Sequence, residues 1–117
     1  MKLRIAGGTT DLSVPIFIMD TRSTEGEGLT GVLFNAAGLT CYYCRIGAAA
    51  AQLNLANVAV AGAHADGGFI EIDNTNMIGW YRLDLSDAVV AAAVTSVAVH
   101  LQGAANMAPL ALEIQIT

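Results

Sequence analysis

Charged residues are scarce in this chain, at 13% of 117 residues, about half the roughly 25% of an average soluble domain. Hydrophobic residues make up 55%, and a domain of this length hides somewhat under ~70% of its unfolded surface. A large apolar remainder therefore stays outside. Five Lys and Arg against ten Asp and Glu give a net charge of -5 and a pI near 4.6, which excludes the basic patches that bind nucleic acid or anionic lipid. Aromatic residues are also few, at 6%, which argues against a stacking platform for sugars or single-stranded nucleic acid. With no linker, charge block or composition break, residues 1–117 read as one domain.

Nor does the chain read as membrane-bound. Ala88 to Leu112 contains no Asp, Glu, Lys or Arg, yet His100, Gln102, Gly103, Asn106 and Pro109 interrupt it, and much of the rest is Ala, Ser and Thr. Lys2 and Arg4 near the start are not followed by an apolar run of ~7–15 residues, so no signal peptide is expected and the chain reads as made in a cytoplasm.

What the sequence has in quantity is glycine, spaced along the chain as turn punctuation. Between the glycines, after an extended start, lie segments with a period of two. Leu110, Leu112, Ile114 and Ile116 alternate with Ala111, Glu113, Gln115 and Thr117. Val97, Val99 and Leu101 alternate with Ala98, His100 and Gln102. Tyr81, Leu83 and Leu85 alternate with Arg82 and Asp84, and Ile70 and Ile72 with Glu71 and Asp73. Val14 to Met19 is apolar on both faces, and Pro15 makes it an edge strand, a bulged one, or one only beginning there. Residues 39–46 and 52–60 offer further strands. Ser86 to Ala93 is the one helical candidate, with Ser86 as N-cap and Asp87 at the positive end of the dipole. The expected architecture is an all-β, antiparallel sandwich of immunoglobulin-like or jelly-roll type, with about seven or eight strands and one short connecting helix.

Chemistry-bearing residues are sparse. Cys41-Tyr-Tyr-Cys44 has the CxxC spacing of zinc and redox sites. A zinc site would need two further ligands, and His64 and His100 do not form a second spaced pair. On a strand the two thiols point to opposite faces. Ser13, Ser23, Ser86 and Ser96 lack a Gly-x-Ser-x-Gly setting. His64 reads as a turn residue and His100 as an outward residue on a strand. Asp66, Glu71, Asp73, Asn74 and Asn76 suggest a calcium loop, but the Gly and distal Glu are missing, and Asx-turn chemistry explains Asp73-Asn-Thr-Asn76 without an ion. No catalytic, cofactor-binding or metal-binding residue is assigned.

Several segments follow one another in a familiar order. They are Phe17-Ile-Met-Asp20; Thr24-Glu-Gly-Glu-Gly-Leu-Thr-Gly31 with Leu39-Thr-Cys-Tyr-Tyr43; Gly67-Gly-Phe-Ile-Glu-Ile-Asp73; Met77-Ile-Gly-Trp-Tyr-Arg-Leu-Asp-Leu-Ser-Asp-Ala88; and Gly103 to Ile116. In this order the chain resembles small virion proteins of tailed bacteriophages and the β-sandwich modules of tail-fibre and baseplate proteins. In those relatives a Pro often precedes the glycine that matches Gly79, and the second Cys is not a fixed feature.

The resemblance implies a non-enzymatic structural protein that needs no cofactor. It would assemble in repeated copies on a virion, decorating and stabilising the capsid or joining the tail apparatus, with copies of itself and other virion proteins as partners. The expected interface residues are Val14, Phe17, Met19, Tyr42, Trp80, Val89 and Val90, and the apolar excess is concentrated in the stretches 12–19, 46–65 and 88–94, where contacts with neighbouring subunits are expected. The open edge of residues 12–19 offers pairing between chains. The alternative is a tail-fibre or baseplate-type module that recognises a host-surface glycan or another ligand through Trp80, Tyr42, Asp66 and Asn76.

Overall fold

A computed structural model covering Met1–Thr117 contains eight strands and no helix. These are β1 (Lys2–Ile5), β2 (Ser13–Phe17), β3 (Thr40–Arg45), β4 (Ala51–Gln52), β5 (Phe69–Asp73), β6 (Met77–Asp84), β7 (Ser96–Gln102) and β8 (Leu110–Ile116). They form a five-stranded sheet in the order β1-β8-β7-β3-β4 and a three-stranded sheet in the order β2-β6-β5. No helix is long and apolar enough to cross a membrane.

In β7 and β8 the alternation exposes the polar members and buries the apolar ones. Val97, Val99 and Leu101 of β7 and Leu112 and Ile114 of β8 are buried. They join Val14, Ile16, Tyr81 and Leu83 of the other sheet in one cluster of 20 buried residues. Each fully buried side chain of this kind contributes about 1.5–3 kcal/mol. Tyr81 stacks on Phe69 with ring centroids 5.1 Å apart. Its hydroxyl donates to Leu29 O at 2.7 Å and accepts from Val32 N at 3.2 Å, fixing the segment that leads into β3. Burial pushes the Tyr81 phenol up to about 12.

Four expectations are corrected. The sheets are not wholly antiparallel, because β1 runs parallel to β8 with Lys2 opposite Glu113 and Ile5 opposite Ile116. The strand expected over residues 52–60 shrinks to Ala51 and Gln52, because from Leu53 the chain leaves β3 and crosses to pair Ala56 with Gly68. The phase of β5 is shifted by one residue. Phe69 takes the core position, so Ile70 and Ile72 face outward, half-buried.

The helix over Ser86–Ala93 is absent. Only Val89 N to Ser86 O closes a turn, Val89 and Val90 both insert into the core, and Ala93 has a φ of 84°. The Arg45 guanidinium donates to Ala88, Val89, Ala91 and Ala92 O at 2.8–3.2 Å, and of these the carbonyls of Ala88 and Val89 are ones a helix over 86–93 would have bonded internally.

β2 is an edge strand, and Pro15 is placed accordingly. Asp84 N bonds Gly68 O, so alternation turns the backbone of Arg82 toward β5 and leaves Leu83 and Tyr81 to bond Val14 and Ile16. Pro15, opposite Arg82, then faces the open edge, where its missing N–H breaks no ladder. The same missing donor makes this edge a poor template for pairing between chains.

The end of β6 holds the one fully buried charge. Asp84 Oδ1 accepts from Ser13 Oγ at 2.6 Å and Arg82 Nε at 2.8 Å, and Oδ2 accepts from Arg82 Nη2 at 2.8 Å and Ala65 N at 3.1 Å. Gly68 lies against it so closely that a Cβ there would sit 2.5 Å from Asp84 Oδ2. Burial pushes the Asp84 carboxyl up, but the hydrogen bonds from Arg82, Ser13 and Ala65 outweigh it and hold the group below 3.8. Its contribution is therefore complete above pH ~4 and is lost as the pH falls through the lower folded-state value.

Asp84→Ala leaves Arg82 without its carboxylate and is expected to lower stability by about 3–5 kcal/mol, read from urea unfolding at neutral pH. Asp84→Asn should also flatten the acid limb of the stability profile below pH ~4 relative to wild type.

Candidate interaction surface

The outer face of the three-stranded sheet carries Pro15 and Phe17 from β2, Trp80 and Arg82 from β6, and Ile70 and Ile72 from β5. Phe17 and Trp80 are cross-strand neighbours in an edge-to-face contact with centroids 5.7 Å apart. Both remain half-exposed. Beyond them the patch continues into Met77, Ile78 and, past the end of β2, Met19, each 42–49% exposed. Gly79 allows β6 to bend here. Its φ is 89°, and a Cβ on it would lie 2.5 Å from Gly28 Cα, so no side chain fits between the two backbones.

The loop from Asn57 to Ala65 folds over the other end of the face. It is rich in alanine and glycine and has few side chains to satisfy its own carbonyls. Arg82 does so, donating to Ala59, Val60, Gly62 and Ala63 O at 2.9–3.2 Å while holding Asp84. Its guanidinium is fully engaged, so the face presents no free charge. Between Pro15, Ile72, Arg82 and Val60 lies a shallow groove of about 290 Å3.

Phe17, Met19 and Trp80 therefore share one surface. Tyr42 does not belong to it, since it faces out from β3 beside His100 on the five-stranded sheet. Val14, Val89 and Val90 are corrected as interface residues, because they are 4%, 0% and 0% exposed and lie in the core. Val14 alternates with the outward Ser13 and Pro15, and the two valines insert into the core from the turn that follows β6. Pro15 and Val60 lie in the stretches 12–19 and 46–65 expected to make contacts, whereas Ile70, Ile72, Met77 and Ile78 are surface members not anticipated from sequence. An apolar residue on either side of Pro15 and of Glu71 was the available signal, but alternation alone does not say which side faces the core.

The set proposed for a glycan is not assembled, because Tyr42 and Trp80 are on different sheets. Asp66 lies 3.9 Å from His64 Nδ1, at a corner where Nδ1 is also 3.5 Å from Asp11 and Nε2 bonds Leu85 O at 2.9 Å. With a side chain only 10% exposed, His64 is a brace between loops and not a free turn residue. Asp73 closes the β5–β6 turn, accepting from Thr75 N, Asn76 N and Asn76 Nδ2 at 2.8–3.0 Å. The bonds from Asn76, then Thr75, hold its carboxyl below the usual range.

Cys41 and Cys44 are free thiols on opposite faces of β3, the first buried and the second at the outer surface with Sγ 3.2 Å from Ala48 O. They cannot hold one ion between them. Ser13 Oγ is bonded to Asp84, itself fixed by Arg82, an arrangement suited to bracing and not to proton abstraction. The outer face of the five-stranded sheet has an open hollow of about 500 Å3, where the small side chains of Ala98 and Ala111 lie between Met1, Cys44, His100 and Glu113. Comparison with protein-family models, curated proteins and solved structures finds no match to this chain.

Burial pushes the Cys41 thiol up to about 12, and Cys41 is fully buried. Iodoacetamide at pH 8 is therefore expected to alkylate Cys44 alone in the native protein and both cysteines after denaturation, read by mass spectrometry.

Proposed function

We propose that this chain is a non-enzymatic assembly subunit that works by protein-protein contact through the outer face of the three-stranded sheet. The carrying observation is that face itself, an apolar patch of Pro15, Phe17, Trp80, Ile70 and Ile72 whose only charged member, Arg82, is engaged internally. Interface cores are apolar and depleted in charge, with aromatic anchors. We read the two sheets as a β-sandwich of immunoglobulin-like or jelly-roll type. The virion role, on capsid or tail, follows from the resemblance of segment order to phage structural proteins.

Magnitude favours repeated weak contacts. Three strands about 4.8 Å apart and about five residues long present roughly 250 Å2, against about 800 Å2 per partner in a standard stable complex. At about 25 cal/mol per Å2 over the roughly 500 Å2 that two such partners bury together, that is roughly 12 kcal/mol, within the ~4–15 kcal/mol that association itself consumes. One such contact is weak. Many on a symmetric shell or tube add through high effective concentration.

Phe17→Ser with Trp80→Ser is expected to lower self-association measured by light scattering, and rebinding to stripped particles, by about tenfold or more, equivalent to ~1.4 kcal/mol. Urea stability should change far less than for Asp84→Ala. A wild-type chain that stays monomeric at high concentration and does not rebind would overturn the proposal.

A further inference from the structure

The fold leaves very few charges without an internal partner. Among the ten carboxylates, Asp20 pairs with Arg22 and Asp84 with Arg82, while Glu113 is in loose contact with Lys2 at 3.6 Å and Asp11 and Asp66 lie loosely beside His64 at 3.5 and 3.9 Å. Glu71 accepts from Gly31 N, Asp73 holds its turn, and Asp87 accepts from Asp11 N. Glu25 and Glu27 remain, both exposed. Among the cations, Arg22 is paired locally, and Arg45 and Arg82 serve loop carbonyls. Arg4 has no partner, and Lys2 has only the loose contact with Glu113 at 3.6 Å, with both side chains more than half exposed.

These remaining charges are ordered. Glu113 N bonds Met1 O and Thr117 N bonds Ile5 O, so the odd residues of β1 bond β8. Lys2 and Arg4 turn their backbones to the open edge and their side chains to the outer face, roughly 6.7 Å apart along the strand. Glu25 and Glu27 have the same two-residue spacing. Their loop is set by Ser23 Oγ, which accepts from both backbone N–H groups at 3.1 Å, and by the Asp20 N to Glu27 O bond.

We propose that Lys2 and Arg4 of one copy dock on Glu25 and Glu27 of the next, giving the assembly a head-to-tail direction. This rests on the assembly reading above and adds its polarity and register. The occupant is a second copy because every copy carries both halves, and because chains of net charge -5 repel one another except where the basic edge meets the acidic loop. Two β1 edges would set like charges opposite one another, which is destabilising. Two different patches of one chain in contact make a heterologous interface, which closes as a ring or continues as a filament. Exposed ion pairs are weak singly, so they orient copies that the apolar face holds.

The full-length chain would be followed by sedimentation velocity in about 0.02 M and 0.5 M NaCl, where screening lengths are ~20 Å and ~4 Å. The samples are wild type, Lys2→Glu/Arg4→Glu, Glu25→Lys/Glu27→Lys, and an equimolar mixture of the two variants, with circular dichroism confirming that each is folded. Each variant alone should self-associate about tenfold more weakly than wild type in low salt, and the mixture should recover to within about threefold. High salt should remove the difference. Variants that assemble like wild type, or a mixture that fails to recover, overturn the proposal. If the Phe17/Trp80 variant still disrupts assembly in that case, the apolar-face reading survives without it. A monomeric wild type overturns both.

Discussion

The carboxylate of Asp84 is out of reach of solvent, and several parts of the molecule are arranged around keeping it satisfied. An unpaired buried carboxylate would cost several kcal/mol, so four donors converge on it, from Ser13 on β2, Arg82 on β6 and Ala65 in the loop that precedes β5. Gly68 must lack a side chain to let the strands close over it. Arg82 in turn carries the Asn57–Ala65 loop on its free N–H groups. One ion pair thereby joins the edge strand, the central strand and the loop that borders the apolar face.

Arg45 works in the same way on β3 of the five-stranded sheet. Both arginines sit beside alanine-rich loops whose carbonyls would otherwise lack donors, and a guanidinium supplies up to five N–H groups in a fixed plane where an ammonium supplies three on a flexible stem. With Arg22 tied to Asp20, most of the small basic complement is used inside single loops. Arg82 in particular is engaged with Asp84 and with loop carbonyls, which is why the outer face of the three-stranded sheet can be apolar without a free charge on it.

The high apolar fraction has two destinations. Twenty residues form the buried cluster shared by the two sheets. Others lie on the outer side of β2, β5 and β6, or in alanine-rich loops that bury little. A sheet apolar on both faces is costly in an isolated domain and useful in one that meets neighbours, and this links the composition to the assembly proposal.

Alternation in β6, β7 and β8 was legible because each core-facing residue has a polar neighbour on at least one side. The Asx turn at Asp73 and the opposite faces of Cys41 and Cys44 followed from local chemistry and a period of two. Where both neighbours are apolar, as around Phe69-Ile70 and Val14-Pro15, the pattern does not choose a face, and packing against Tyr81 and Leu83 chose it. The residues Ser86–Ala93 have helical composition locally, yet a guanidinium more than forty positions away takes their carbonyls and the core takes Val89 and Val90. The sequence by itself determined that the chain is all-β, where most strands lie, and that its apolar content exceeds what a core can hold. Only the tertiary structure decided which apolar residues remain outside, because that depends on long-range packing and on which distant donor reaches each buried acceptor.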